Sequence, residues 1–171
     1  MVLNNLGSAY GAQRRYAEAI DCLRQALAIR EKLGNDLDKS YALNTLGHVQ
    51  HELGHYAEAL PLLREALRIR QDLGNRNSEA ATLHCLGDTL TGLGCHLEAL
   101  ACLRRALLIF RQLGNTYGDA AAARSIGSVC RALGRPQAAE RYLRRAMERY
   151  HDLGLHAEEA AVAAELTQVP G

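Results

Sequence analysis

Residues 36–75 read DLDKSYALNTLGHVQHELGHYAEALPLLREALRIRQDLGN, and this block recurs along the chain at a fixed interval. Shifting the sequence by 40 residues superposes Leu6-Gly7, Leu46-Gly47, Leu86-Gly87 and Ile126-Gly127 with no insertion between them. The same shift stacks Ala19, Ala59, Ala99 and Ala139, then Leu23, Leu63, Leu103 and Leu143, then Ala26, Ala66, Ala106 and Ala146. Leu33-Gly34, Leu73-Gly74, Leu113-Gly114 and Leu153-Gly154 close each copy, and Asn follows the first three. Strict repetition at this period is the signature of a stacked array of supersecondary units.

Within one copy, Leu43, Leu46 and Val49, then Leu60, Leu63, Leu67 and Ile69, recur at helical spacing on either side of a break at Gly54. The pattern predicts a hairpin, with a helix A over about 36–53 and a helix B over about 56–73, closed by Gly74 and Asn75 in the left-handed conformation. The B helices are expected to begin near Tyr16, Tyr56, His96 and Pro136, the last a suitable first-turn proline. Gly47 and Ala59 lack bulk where A crosses B, while Leu63 fills the neighbouring hollow.

Leu3-x-x-Leu6-Gly7-x-x-Tyr10 followed by Ala19-x-x-x-Leu23 resembles the tetratricopeptide repeat, with Leu in place of its Trp and its Phe. The period of 40 instead of 34 is similar to the longer repeats of kinesin light chains, of Leu-Gly-Asn-repeat spindle adaptors and of the arrays in actinobacterial regulator ATPases. HEAT and armadillo repeats share a period near 40 but lack the LGxxY-then-Ala spacing. The resemblance implies an all-α, right-handed superhelical solenoid of four helix hairpins plus a C-terminal capping helix. The whole of 1–171 then forms one domain, with repeats at about 1–34, 35–74, 75–114 and 115–154 and a cap at 155–169. By register Met1 corresponds to Tyr41, so the first A helix lacks a turn; His156 through Val169 makes a fifth A-type helix without a B partner. Both ends suggest a piece of a longer protein.

A solenoid offers a binding surface on the concave side that its A helices share. Positions facing that groove in the family map here onto three rows. The first is Asn4, Asn44, His84 and Arg124; the second is Ser8, His48, Asp88 and Ser128; the third is Gly11, His51, Thr91 and Arg131, with Glu52 beside it. An Asn in the first row suits a ligand backbone, because an amide offers both an acceptor and donors to a peptide bond. His84 and Arg124 replace that Asn later in the chain, which points to an anionic ligand end near repeats three and four. A protein or peptide is therefore the expected partner, and no cofactor is implied. Self-association through the helical ends, giving a homodimer, is the alternative.

His51-Glu52-Leu53-Gly54-His55 matches the HExxH zinc-protease motif, whose chemistry needs both histidines on one helical turn. Gly54 aligns with Gly94 and Gly134 at the interhelix break, so His55 is expected past the end of the helix carrying His51. His48 and His51, three residues apart, leave an opportunistic metal contact open. No GxSxG, phosphate loop or dinucleotide fingerprint is present, and no enzyme activity is expected.

Charge is uneven: the chain carries +1 overall, yet residues 101–150 hold ten basic and three acidic side chains. Arg104, Arg105, Arg111, Arg141, Arg144, Arg145 and Arg149 are expected on the convex side of the third and fourth B helices as a solvated face. A nucleic-acid contact there is disfavoured by the scarcity of aromatic residues. Five cysteines without CxxC spacing fit free thiols in the cytoplasm. No apolar run is long enough for a membrane span. Eighteen Arg against two Lys, with the regulator resemblance, point to a sensor or interaction module in bacterial signalling and transcriptional regulation.

Overall fold

A computed structural model describes residues 2–169, so Met1, Pro170 and Gly171, at the limits of the expected domain, lie outside it. Among the described residues every regular element is a helix: α1 (Val2–Ala12), α2 (Tyr16–Leu33), α3 (Asp36–Glu52), α4 (Tyr56–Asp72), α5 (Arg76–Gly92), α6 (His96–Gln112), α7 (Thr116–Ala132), α8 (Pro136–Asp152) and α9 (His156–Leu166). Each helix packs on the next, and α1, α3, α5 and α7 also touch in sequence. The result is an all-α solenoid of four hairpins, α1/α2 to α7/α8, with α9 packed on α8. The A helices form one continuous inner wall.

The turns explain the helix ends. Gly54 sits at φ 76°, its N–H bonds to the His51 carbonyl at 2.8 Å, and the His55 N–H bonds to the Gln50 carbonyl at 2.9 Å. This pair of bonds is the Schellman motif, which satisfies carbonyls left open by the last helical turn. Arg14 holds the equivalent place in the first hairpin at φ 58°.

Asn75 departs from expectation. Instead of sharing Gly74's left-handed conformation it lies at φ −81°, and its side-chain oxygen accepts from the Ser78 N–H at 3.2 Å. Asn35 and Asn115 do the same for Asp38 and Gly118. A side-chain acceptor there satisfies an orphan donor and stabilises a helix start by about 1 kcal/mol. The asparagines therefore begin α3, α5 and α7 and do not end the helices before them.

Close approach of A and B within a hairpin holds the array together. Ala19, Leu23, Ala59, Leu63, Ala99, Leu103, Ala139 and Leu143 are all 0% exposed. A Cβ placed on Gly7, Gly47, Gly87 or Gly127 would fall 2.6, 2.7, 2.5 or 2.7 Å from Cγ of Leu23, Leu63, Leu103 or Leu143. Only hydrogen fits at that distance.

A row of charged groups joins each A helix to the B helix of its own hairpin, with further contacts from the hairpin before it. Glu79, 2% exposed, accepts from Arg105 at 2.6 Å, from Arg76 at 2.7 Å and from Gln71 at 3.2 Å. Forty residues on, Asp119 accepts from Nε and Nη2 of Arg145 and lies 3.7 Å from Arg111. The second hairpin carries the same pair with polarity reversed, Lys39 to Glu65 at 2.6 Å. Arg105, Arg111 and Arg145 thus turn sideways into buried acids, where a solvated convex face was expected. The carboxylates supply acceptors that a bidentate guanidinium matches.

Two stability predictions follow from this packing. Gly87→Ala should destabilise the chain by about 1–3 kcal/mol through overpacking against Leu103, although Ala favours a helix over Gly by about 1 kcal/mol; urea denaturation with an unchanged m-value checks it. Asp119→Ala should lower the melting temperature far more than Glu140→Ala. The exposed pair of Glu140 with Arg144 contributes only about 0–1 kcal/mol, whereas losing Asp119 strips Arg145 and Arg111 of a shared partner.

Candidate functional site

The inner wall holds two open concavities that share Glu52. The first, about 400 Å³, is lined by α1 and α3 and includes Ser8, Gly11, Arg14, Asn44, His48 and Glu52. The second, about 680 Å³, runs along α3, α5 and α7 and includes His51, Glu52, His84, Asp88, Thr91, Arg124 and Ser128. Of the groove residues expected from sequence, Asn4 and Arg131 line neither. Asn4 gives its amide N–H to the Asp38 carbonyl at 3.1 Å, and Arg131 donates to Gln168 at 3.1 Å.

Asn44 is only half available. Its Oδ1 accepts from Arg70 at 3.1 Å and faces the Thr82 hydroxyl at 3.0 Å. Arg70 is 3% exposed, also donates to Thr82 and to the Ser78 carbonyl, and stacks its guanidinium on the Tyr41 ring. A guanidinium can only donate, so it dictates which amide atom faces it. The acceptor of Asn44 is consumed, and its NH2 is the part left for a ligand carbonyl.

His51 is oriented just as firmly. Thr89 Oγ1 donates to the Cys85 carbonyl at 2.8 Å, so it meets His51 Nδ1, 3.1 Å away, with a lone pair. Nδ1 therefore carries the proton, and Nε2 is a free acceptor. The ring lies against Tyr56, with centroids 5.3 Å apart. Burial pushes the His51 pKa below its usual 6.5, against the pull of Asp88 and Glu52. The same burial pushes the Cys85 thiol up to about 12, which keeps it protonated and non-nucleophilic.

The zinc motif is dismantled by the turn. α3 ends at Glu52, Gly54 reverses the chain, and His55 Nδ1 meets Gln50 Oε1 at 3.0 Å while His51 points toward Thr89 on α5. The two histidines serve different partners. Among the described residues no group of three or more His, Cys, Asp or Glu side chains is placed to hold a metal ion.

At the far end, Arg124 and Ser128 have a partner of their own. Arg124 Nε donates to Glu165 of α9 at 2.7 Å and its Nη2 lies 2.5 Å from the same oxygen, while Ser128 donates to the other carboxylate oxygen at 3.1 Å. His84 Nε2 lies 3.1 Å from Ser125 Oγ and 3.5 Å from Asp88. The anionic ligand end expected beside Arg124 is thus filled by an internal carboxylate. Its partner lies 41 residues away, on a helix whose placement depends on the whole stack.

Sequence rows also passed over residues that form much of the second concavity: Tyr56, Gly92, Tyr117, Ala121, Tyr150 and Glu165. A Cβ on Gly92 would meet carbons of the Tyr56 ring at 2.5, 2.6 and 2.7 Å, so the ring lies flat on bare backbone. A signal existed, since Ala12, Glu52 and Ala132 occupy the positions that repeat with Gly92. Tyr117 and Tyr150 meet edge to face at 6.1 Å, and burial pushes the Tyr150 phenol up to about 12.

Such an architecture defines a helical-repeat scaffold, with an inner wall composed by several hairpins and an ordered set of polar groups facing it. The chain belongs to the tetratricopeptide repeat family, which it matches over residues 1–72 and 78–152 and whose members generally mediate protein–protein interaction. No curated protein matches it. Its fold is similar to kinesin light chain TPR-like repeats from Podosopora anserina, at TM-score 0.79 and 20% identity over 98% of this chain and 83% of that one. It is also similar to a Rap protein complexed with competence and sporulation factor, at TM-score 0.86 and 22% identity over 98% of this chain and 47% of that one. A third likeness is to a signal-transduction ATPase with a tetratricopeptide repeat sensor from Pyrococcus horikoshii, at TM-score 0.78 and 17% identity, covering 96% of this chain and 26% of that one. At these identities the likeness is one of fold.

The His51 assignment has a measurable sign. Its folded-state pKa is depressed, so the unfolded chain binds more protons near neutrality, and its contribution favours folding above pH 6.5 and is lost as pH falls through 6.5 toward the folded value. Imidazole NMR should show a His51 midpoint below 6.5, and Thr89→Val, which removes the oriented acceptor, should broaden its ring position.

Proposed function

We propose that this chain is a peptide- or protein-recognition module that binds its partner in extended form along the inner wall of α1, α3, α5 and α7. The carrying observation is the pair of concavities joined at Glu52, lined by side chains whose own hydrogen bonds leave defined donors and acceptors free. The Asn44 NH2 offers donors to a ligand carbonyl, Thr91 keeps hydroxyl lone pairs while donating to the Gly87 carbonyl at 2.8 Å, and His51 presents Nε2. Ser8, His48, His84, Asp88 and Ser128 complete the proposed contact surface, with Asn4 and Arg131 bracing neighbouring helices at its margins.

The module reads as one domain over 1–171 with a binding role and no catalytic one. The buried Cys85 thiol is held protonated. A regulatory or sensor role inside a larger cytoplasmic signalling protein draws support from the neighbouring folds, one named as a sensor and one crystallised with a factor bound. No helix among the described residues is long and apolar enough to cross a membrane.

Peptide display tests the groove. Random dodecapeptides selected on the chain should lose binding to the Ala121→Trp variant, which fills the second concavity, or to Thr91→Trp if the first fails to fold. Thermal melts establish that the variant is folded. Selected peptides that bind both forms equally would overturn the groove as the recognition site.

A further inference from the structure

Three carboxylates and two guanidiniums line the two concavities, but they are not equally free. Arg124 is neutralised by Glu165 within the fold. Arg14 stands at the α1/α2 turn, at the opposite end of the wall. Between them Glu52 and Asp88 face the cavity with side chains 41% and 32% exposed, and their nearest partners are histidines, His48 at 4.0 Å and His84 at 3.5 Å. Arg70 is buried and committed to Asn44, Ser78 and Thr82.

The centre of the groove is therefore a surface of acceptors. Two carboxylates, the Nε2 lone pair of His51 and the lone pairs of Thr91 line one cavity. Tyr56 lies flat on Gly92 beside them, a phenol face against which an aliphatic stem packs and over which a cation is attracted. Both carboxylates line the same cavity and act electrostatically on His51 and Cys85.

We propose that the groove recognises a peptide carrying a basic side chain, Lys or Arg, whose stem lies along Tyr56 and Gly92 and whose cation sits between Glu52 and Asp88. The inference rests on the groove being the recognition site and names the charge class of its ligand. It reverses the anionic preference read from Arg124 in sequence, because Glu165 already occupies that guanidinium. Charge-assisted hydrogen bonds to two partly shielded carboxylates are strong enough to dominate selection among otherwise similar extended peptides.

The displayed dodecapeptide library tests this on three baits: the native chain, Glu52→Gln/Asp88→Asn, and Ala121→Trp, each checked by thermal melt. On the native chain, peptides that lose binding to A121W should share a Lys or Arg at one fixed position. Synthesised with fluorescein, the best of them should bind the E52Q/D88N variant at least about tenfold more weakly. Replacing its basic residue by norleucine should cause a similar loss on the native chain and little further loss on E52Q/D88N. Groove-dependent peptides with no basic position, or equal binding of the Lys and norleucine forms to the native chain, would overturn the charge inference while leaving the groove intact. Absence of any A121W-sensitive peptide would overturn both. If E52Q/D88N fails to melt cooperatively, Glu52→Gln alone carries the same comparison, since the contact of Glu52 among the described residues is the 4.0 Å one to His48.

Discussion

Four leucines seated on four glycines hold this molecule in shape. Leu23, Leu63, Leu103 and Leu143 are fully buried, and each Cγ lies only 2.5 to 2.7 Å from where a Cβ on the facing glycine would stand. Glycine inside a helix is unfavourable by about 1 kcal/mol relative to alanine, so its recurrence there at every copy is explained by the contact and not by the helix. The short interaxial distance it allows sets the angle within each hairpin. Because the angle repeats, the A helices fall on one side and present one wall.

A second set of contacts ties each A helix to its own B helix. Lys39, Glu79 and Asp119 meet Glu65, Arg105 and Arg145 on the B helix of the same hairpin, while Gln71 reaches Glu79, Arg111 lies 3.7 Å from Asp119 and His151 meets Glu159 of α9 across successive units. Reversal of sign in the second hairpin keeps the pair while changing which side carries the cation. Replacing a buried ion pair by apolar groups is often neutral for stability; here the pairs also consume arginines that would otherwise make the third and fourth B helices a strongly basic surface.

The same logic governs the groove. A polar residue on an inner wall matters to a ligand only through the atoms its neighbours leave unused. Asn44 commits its acceptor to Arg70, His51 commits its Nδ1–H to Thr89, and Arg124 has its charge balanced by Glu165. What remains at the centre is acceptor-rich, with Tyr56 resting on Gly92 beside it. Recognition chemistry is thus defined by subtraction, and the residues doing the subtracting lie 26 to 41 positions away in the chain.

The fold was legible in the sequence because its causes are local or strictly periodic. Hairpin limits follow from glycines in the turns, helix faces from apolar spacing, and the failure of His51 and His55 to share a helix from the alignment of Gly54 with Gly94 and Gly134. Groove rows were legible as positions, since most of them line the two concavities. Their charge and hydrogen-bonding state was not. Whether Arg124 is free depends on where α9 lies, whether Asn44 can accept depends on Arg70 crossing from α4, and whether the convex arginines face water depends on Glu79 and Asp119 beside them. Sequence by itself determined a stack of helix pairs with a common inner wall. Tertiary structure decided which charges on that wall stay open, because partners brought together by superhelical stacking leave no local pattern in the chain.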